Sequence, residues 1–346
     1  MMLYTRYFFY IVVCVLFVSC STSSVVVDIQ RPADITINNV IRNIVVVNRV
    51  SPTRKNLANN IVEGFLSGES LGVDRKGAKY CIQGLYNMIE NSERFNIKNI
   101  EPIELKGTGT SSFPIPLDWN EITSICGSYN ADALIVLETF DSNSEIIMGP
   151  PTMKNKKIKG VKVKQKIFPS TLIVEVEAGW RIYDVAKKLI IDENKFRDIK
   201  RFSASGNTPK EAKLNLPSKF TTVKESGKFA GYQYGLRISP SWINVRRSYY
   251  SHKYNEFKKA KHYVANNDWD SAVDIWKPLT YSDDTKLAGR ACFNMALASE
   301  ISGKLDVAIE WVKKSQKFGE KKAFSYLRTL ERRKIDAIKL EQQLNN

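Results

Sequence analysis

The sequence predicts an α+β protein: an α/β domain built on a mixed sheet, followed by an all-helical domain. Three observations carry the prediction. Two short continuous apolar runs, Ile44-Val45-Val46-Val47 and Ala133-Leu134-Ile135-Val136-Leu137, suit strands buried on both faces. Leu172, Val174, Val176, Ala178, Trp180 and Ile182 alternate strictly, as a strand with one covered face requires. Beyond residue 207 the apolar spacing turns helical, and near the end it repeats.

Between the two apolar runs, Ala78, Cys81, Ile82, Leu85 and Ile89 share one stripe of a helix. Phe95-Asn96-Ile97 restarts an extended segment. Asp118-x-x-Glu121 reads as a capping box for a second helix, striped by Ile122, Ile125, Cys126 and Tyr129. On the long alternating strand, Glu175, Glu177 and Arg181 fall on the other face, which is expected to be wet. Leu189–Phe202 makes the return strand, giving the order β-α-β-α-β-β-β. This layout resembles the N-terminal part of the TolB protein and the α/β domains of curli-secretion lipoproteins; a likeness of topology carries no function with it.

From Pro209 the chain reads as helix. A segment over Thr221–Leu236 leads to a break at Ser239-Pro240-Ser241, and no strand is expected from Ser241 to Leu344. Within that stretch Asn267–Asp274 returns 36 residues later as Gly303–Glu310, with Asp270/Asp306, Ala272/Ala308 and Val273/Ile309 in register. Ala260/Ala296 and Phe257/Phe293 keep the same offset. These pairs resemble two tetratricopeptide repeats, whose alanines sit where paired helices touch. They depart from the pattern in the longer offset, in Ser299 opposite Tyr263, and in Pro278. The resemblance implies a concave face lined by Tyr254, Phe257, Lys261, Arg290, Phe293 and Leu297, able to hold a peptide or helix of a partner. Lys321–Leu344 is expected to cap one end of the repeats and Thr221–Leu236 the other.

Residues 1–20 resemble a bacterial lipoprotein signal. Arg6 is their only charge, Tyr7–Val18 is too short an apolar run to span a bilayer, and Ser19 precedes Cys20. Phe17 stands where the usual pattern has leucine. The resemblance implies cleavage before Cys20 and acylation of that residue, with enough acyl chains for stable anchoring. Ser21–Ser24 carry no acidic residue, which favours the periplasmic face of the outer membrane. The mature chain of 327 residues keeps a net charge of +15, since only Arg6 is lost from +16. In an exported protein that charge points to anionic lipid or acidic envelope polymer as counter-charge, not to nucleic acid.

Little in the chain reads as catalytic. Gly72-x-x-x-x-Gly77-Ala78-Lys79 misses a phosphate loop, because Ala78 interrupts the terminal Gly-Lys-Ser/Thr and no strand directly precedes it. Cys81, Cys126 and Cys292 have no regular spacing and fall at apolar helical positions, so buried free thiols are expected, with a Cys81–Cys126 bridge the alternative. Two histidines, His252 and His262, do not suffice for a histidine-based zinc site. No cofactor is expected. The strongest charged feature is a run of seven lysines within 13 residues: Lys154, Lys156, Lys157, Lys159, Lys162, Lys164 and Lys166. On a hairpin, with Lys162, Lys164 and Lys166 alternating with valine, one edge would be all positive and suited to a polyanion; the other reading is a lysine-guarded, solvated edge.

Taken together, Arg31-Pro32-Ala33, Gly72-Val73-Asp74-Arg75, Leu137-Glu138-Thr139-Phe140-Asp141, Arg237-Ile238-Ser239-Pro240 with Trp242, and Asn294-Met295-Ala296 resemble landmarks of a family of Bacteroidetes outer-membrane lipoproteins of unknown function. The expected organisation is a signal peptide over 1–19, a tether over 20–33, an α/β domain over 34–206, a helical connector over 207–250 and a tetratricopeptide-like domain over 251–346. The expected function is a membrane-anchored, non-catalytic scaffold or assembly factor that binds an envelope protein. Binding of anionic lipid or polysaccharide through Lys154–Lys166 is the alternative, and an enzyme of unknown class comes third.

Overall fold

A computed structural model of the chain describes residues 22–52, 73–92, 94–109, 111–158 and 161–345. They form two compact units. One joins the strand β1 (Thr22–Arg31) to residues 242–341, and the other spans residues 32–241 with the last few residues of the chain.

The second of these is an α/β unit. Its elements are β2 (Asn43–Pro52), α1 (Val73–Glu90), β3 (Asn96–Ile97), β4 (Ile103–Gly107), α2 (Trp119–Tyr129), β5 (Ala133–Met148), β6 (Thr152–Ile158), β7 (Val161–Asp184), β8 (Leu189–Gly206), α3 (Pro209–Leu214) and α4 (Lys219–Ile238). The sheet runs β3-β2-β5-β7-β6, with β4 also on β2 and β8 on β7. β2 is parallel to β3, β4 and β5, whereas β7 is antiparallel to β5, β6 and β8. The mixed sheet therefore matches the expected α+β class.

Residues on β2 and β5 are buried on both sides. Ile44, Val46, Ile135 and Leu137 pack with Val174, Val176, Ala178 and Trp180 under α1. Val45, Val47, Leu134 and Val136 pack on the opposite face with Ile122 and Cys126 of α2. Asp118 caps α2 through its side chain, and Asn130 ends the helix at a positive φ of 49°.

α4 corrects one expectation. It joins α1 over the sheet as part of this unit, where the sequence placed it as a connector and a cap for the repeats. Val223, Ala230, Tyr234 and Ile238 enter the same core as Cys81 and Leu85. Tyr234 stacks on Trp180 at 4.7 Å, and Arg237 holds the buried Asp192 of β8 with two bonds of 2.8 and 3.0 Å. Two glycines allow the helices to touch. A Cβ on Gly84 would lie 2.0 Å from the Lys228 carbonyl oxygen, and one on Gly231 would lie 1.7 Å from that of Cys81.

β6 continues β5 past Gly149-Pro150-Pro151, and both pair with the 24-residue β7. The result is a two-stranded arm that runs on beyond the helix-covered part of the sheet.

The other unit pairs β1 with β9 (Ser241–Tyr250) and carries α5 (Asn255–Ala265), α6 (Trp269–Leu279), α7 (Thr285–Ile301), α8 (Leu305–Lys317) and α9 (Lys321–Asn345). Both strands depart from the sequence reading, which made residues 20–33 a tether and 207–250 helical. Val25, Val27 and Ile29 alternate inward on β1, as do Ile243 and Val245 on β9. The two pair with each other as a two-stranded sheet of their own. The helices keep the 36-residue register: α6 and α8 start at Trp269 and Leu305, and Ala260, Ala296, Ala272 and Ala308 are all fully buried.

Candidate functional site

Three places gather charged or exposed side chains in a way that bears on function. The first lies near the carboxyl ends of β2 and β4, beside Glu138 in the first half of β5, on the α2 face of the sheet. Glu138 sits at a register shift between Leu137 and Thr139 and is wholly buried. Arg49 Nη1 reaches it at 3.1 Å, Arg181 Nη1 at 3.2 Å, and the Tyr183 hydroxyl donates to it at 2.8 Å. Each arginine is used further. Arg49 also bonds the carbonyls of Lys106 and Ile115; Arg181 bonds that of Pro114, pairs with Glu193 at 2.6 Å and lies over the Phe113 ring at 4.8 Å. Burial, with Glu138 alongside, pushes the Tyr183 hydroxyl up to about 12. Two carboxylates and two guanidiniums saturate one another, so this cluster clamps the 113–117 segment to the sheet and leaves no group poised for proton transfer.

The carboxylates expected on a wet face are also engaged. Arg197 of β8 pairs with Glu175, and Lys195 pairs with Glu177 at 2.9 Å. Both glutamates are half-buried, with the cross-strand Arg197 and Lys195 side chains of β8 against them. Gly77, from the near phosphate loop, lies inside α1 against Phe140 and Val223; Gly72 is outside the described residues. Cys81, Cys126 and Cys292 are free and buried. Cys81 and Cys126 belong to cores on opposite faces of the sheet, which rules out a bridge between them. Burial pushes the Cys126 thiol up to about 12 and that of Cys292 to about 11. Among the described residues no three His, Cys, Asp or Glu side chains gather as a metal site, and no helix is long and apolar enough to cross a membrane.

The arm is the second place. Lys154, Lys156 and Lys157 lie on β6, and Lys164 and Lys166 on β7; all five are exposed. Lys159 lies outside the described residues. Lys162 pairs with Lys157 through the backbone, and its side chain also lies outside them. Lys164 and Lys166 share one face of the hairpin as expected, but the run as a whole is divided between two. Side chains alternate along a strand, so Lys157, Lys164 and Lys166 point to one face and Lys154 and Lys156 to the other. None of the five makes an ion pair among the described residues, and Lys166 rests over Phe168 at 5.4 Å. Met153 and Val163 are exposed on the same arm, and Ile146 and Ile147 on β5 ahead of it.

The third place is the helical unit's expected concave face, and here the structure corrects the sequence. Phe257 and Leu297 are fully buried, and Phe293 and Arg290 nearly so. For Phe293 and Arg290 the cause is β9, the unforeseen strand, which meets α7: Tyr250 packs edge-on to Phe293 at 5.5 Å and lies 4.6 Å from the Arg290 guanidinium, and the Asn294 side chain bonds the Tyr250 backbone N–H and C=O at 2.8 and 2.7 Å. Tyr254 and Lys261 stay half-exposed, with the Tyr254 hydroxyl donating to Asp284 at 3.0 Å. Further along α7, the buried Glu300 takes Arg247 at 2.9 Å, Arg333 at 2.6 Å and the Tyr326 hydroxyl at 2.6 Å. Burial alone would raise the Glu300 carboxyl, but these bonds outweigh it and hold it below the usual range.

Sequence reasoning missed Arg49, Arg247 and Glu300, gave Glu138 no role, and placed Arg181 on a wet face where the structure buries it against Glu138. The available signal was a charge set inside or directly after an apolar strand or helix run, as at Leu137-Glu138 and Ala298-Ser299-Glu300.

Two families match the sequence, both described as domains of unknown function: DUF8603 over residues 41–250 and DUF6340 over residues 258–335. The first covers the sheet, α4 and β9; the second covers most of α5 to α9. No curated protein matches the chain. With more than half of its length inside the first match, the protein belongs to the DUF8603 family.

Proposed function

We propose that this protein is a non-catalytic lipoprotein of the bacterial envelope, anchored through Cys20 at the periplasmic face of the outer membrane, that engages an anionic surface through its lysine arm. The observation carrying the reading is the arm itself: five exposed lysines without ion-pair partners among the described residues, interleaved with the exposed Met153 and Val163. Lysines kept from pairing suit anionic head groups or acidic polymer, and the apolar residues suit a bilayer interface. The carboxylates a catalytic reading would use, Glu138, Glu175, Glu177 and Glu300, are each bound to arginine or lysine. β1 begins at Thr22, so only Ser21 separates an acylated Cys20 from the helical unit, a reach of at most about 7 Å in place of the expected tether.

A second reading, a tetratricopeptide-like scaffold for an envelope protein beside a TolB-like α/β domain, is favoured by one cleft. It measures about 560 Å³ in the helical unit and is lined by Ile243, Ile301, Leu305, Ala337 and Leu340, with the exposed Trp242 at its edge.

Vesicle co-sedimentation of the Cys20→Ser chain tests the arm. Each lysine near an anionic leaflet contributes about 1 kcal/mol, so the triple change Lys157→Gln, Lys164→Gln, Lys166→Gln is expected to weaken binding to phosphatidylglycerol vesicles about 100-fold. Equal binding to neutral phosphatidylcholine vesicles, or no effect of the triple change, overturns the reading.

A further inference from the structure

We propose that a cavity in the helical unit, separate from the arm, binds a phosphate group. The cavity measures about 500 Å³ and is lined by Tyr250, Lys286, Arg290, Glu320, Lys321 and Lys322, from the end of β9, the start of α7 and the turn into α9. Four cations face one carboxylate there. None of the four makes an ion pair among the described residues, and the Tyr250 hydroxyl bonds both Glu320 and Arg290.

Arg290 carries the argument. It is only 9% exposed, yet its Nε and Nη1 have no hydrogen-bond partner among the described residues. Its guanidinium lies 4.6 Å from the centre of the Tyr250 ring, and the Lys322 ammonium lies 5.5 Å from the same centre. The ring attracts both cations but neutralises neither. A buried guanidinium with unmet donors is costly unless something supplies acceptors. The same unit shows the contrast: Arg247 and Arg333 both converge on Glu300.

A phosphate group matches this lining in charge and in geometry. It brings up to two negative charges and several acceptor oxygens, and the planar fork of arginine meets it with paired donors. A carboxylate brings one charge, too little to offset four cations already facing a single glutamate. The cavity also lies at the start of β1, because Lys322 Nζ donates to Thr22 Oγ1 at 3.3 Å. The site stands without acylation of Cys20; with it, lipid head groups two residues away are the nearest source of phosphate.

Isothermal titration of the full chain at constant ionic strength tests the site with two probes, inorganic phosphate and glycerophosphoglycerol, the soluble head group of phosphatidylglycerol. At least one is expected to bind saturably. Arg290→Gln is expected to weaken that binding about tenfold or more, as loss of a charge-assisted bond does. The exposed pair Lys286→Gln with Lys321→Gln should do the same, and it decides the matter where Arg290→Gln fails to fold. The arm triple variant should bind as the parent does, which separates this site from the arm. Binding of the head group points to a lipid source, and binding of inorganic phosphate alone to a free one. Heat no greater than chloride gives, or affinity unchanged in the lysine pair, overturns the proposal.

Discussion

Replacing Glu138 by leucine is expected to destabilise the α/β unit by about 3–5 kcal/mol, the cost of leaving buried charges without their partner. Arg49 and Arg181 approach this carboxylate from β2 and β7, and with Glu138 gone Arg49 is buried without a counter-charge while Arg181 keeps only the exposed Glu193. The Tyr183 hydroxyl loses its acceptor as well. Urea unfolding followed by hydrogen exchange in peptides from β5 and β7 would measure the effect within this unit. The triple change Arg49→Met, Glu138→Leu, Arg181→Met should recover most of the loss, because it removes the charges together. A Glu138→Leu chain as stable as its parent would mean that water reaches the cluster and that the clamp on residues 113–117 is not what holds it.

Phe257→Ala is the second large effect, expected at about 3–5 kcal/mol in the helical unit. The side chain is fully buried among Ala260, Trp276 and Leu297, with the Tyr254 ring edge-on at 5.5 Å. Lys261→Ala, on the half-exposed side of the same helix, should stay within about 0.5 kcal/mol. Tryptophan fluorescence in urea reads both, since Trp276 shares the core. A Phe257→Ala chain of unchanged stability that fails to bind a partner would restore the peptide groove that the repeat pattern suggested.

The two substitutions mark where the sequence was legible and where it was not. β2 and β5 could be read because burial on both faces leaves an unbroken apolar run, and no other ordinary element of that length looks the same. The 36-residue register could be read because alanine is needed wherever two helices touch. β1 and β9 escaped because each mixes its inward Val and Ile with Asp28, Asn244, Arg246 and Arg247. Their pairing also joins residues as far apart as Asp28 and Asn244, 216 positions away. Missing β9 had a direct consequence: Phe293 and Arg290 read as part of a groove when Tyr250 of the chain's own strand covers them. Arg290 was legible as a position on α7, but its unmet donors appear only once Tyr250 is placed against it. The lysine run was plain in the sequence, yet its division between two faces depends on the register of β6 with β7.

Placement at a membrane is the claim on which the function rests, and metabolic labelling with palmitate tests it most directly. The account predicts that label enters the mature chain in membrane fractions and disappears in the Cys20→Ala variant. A chain recovered unlabelled from the soluble fraction with Met1 intact, or label that survives Cys20→Ala, would contradict it.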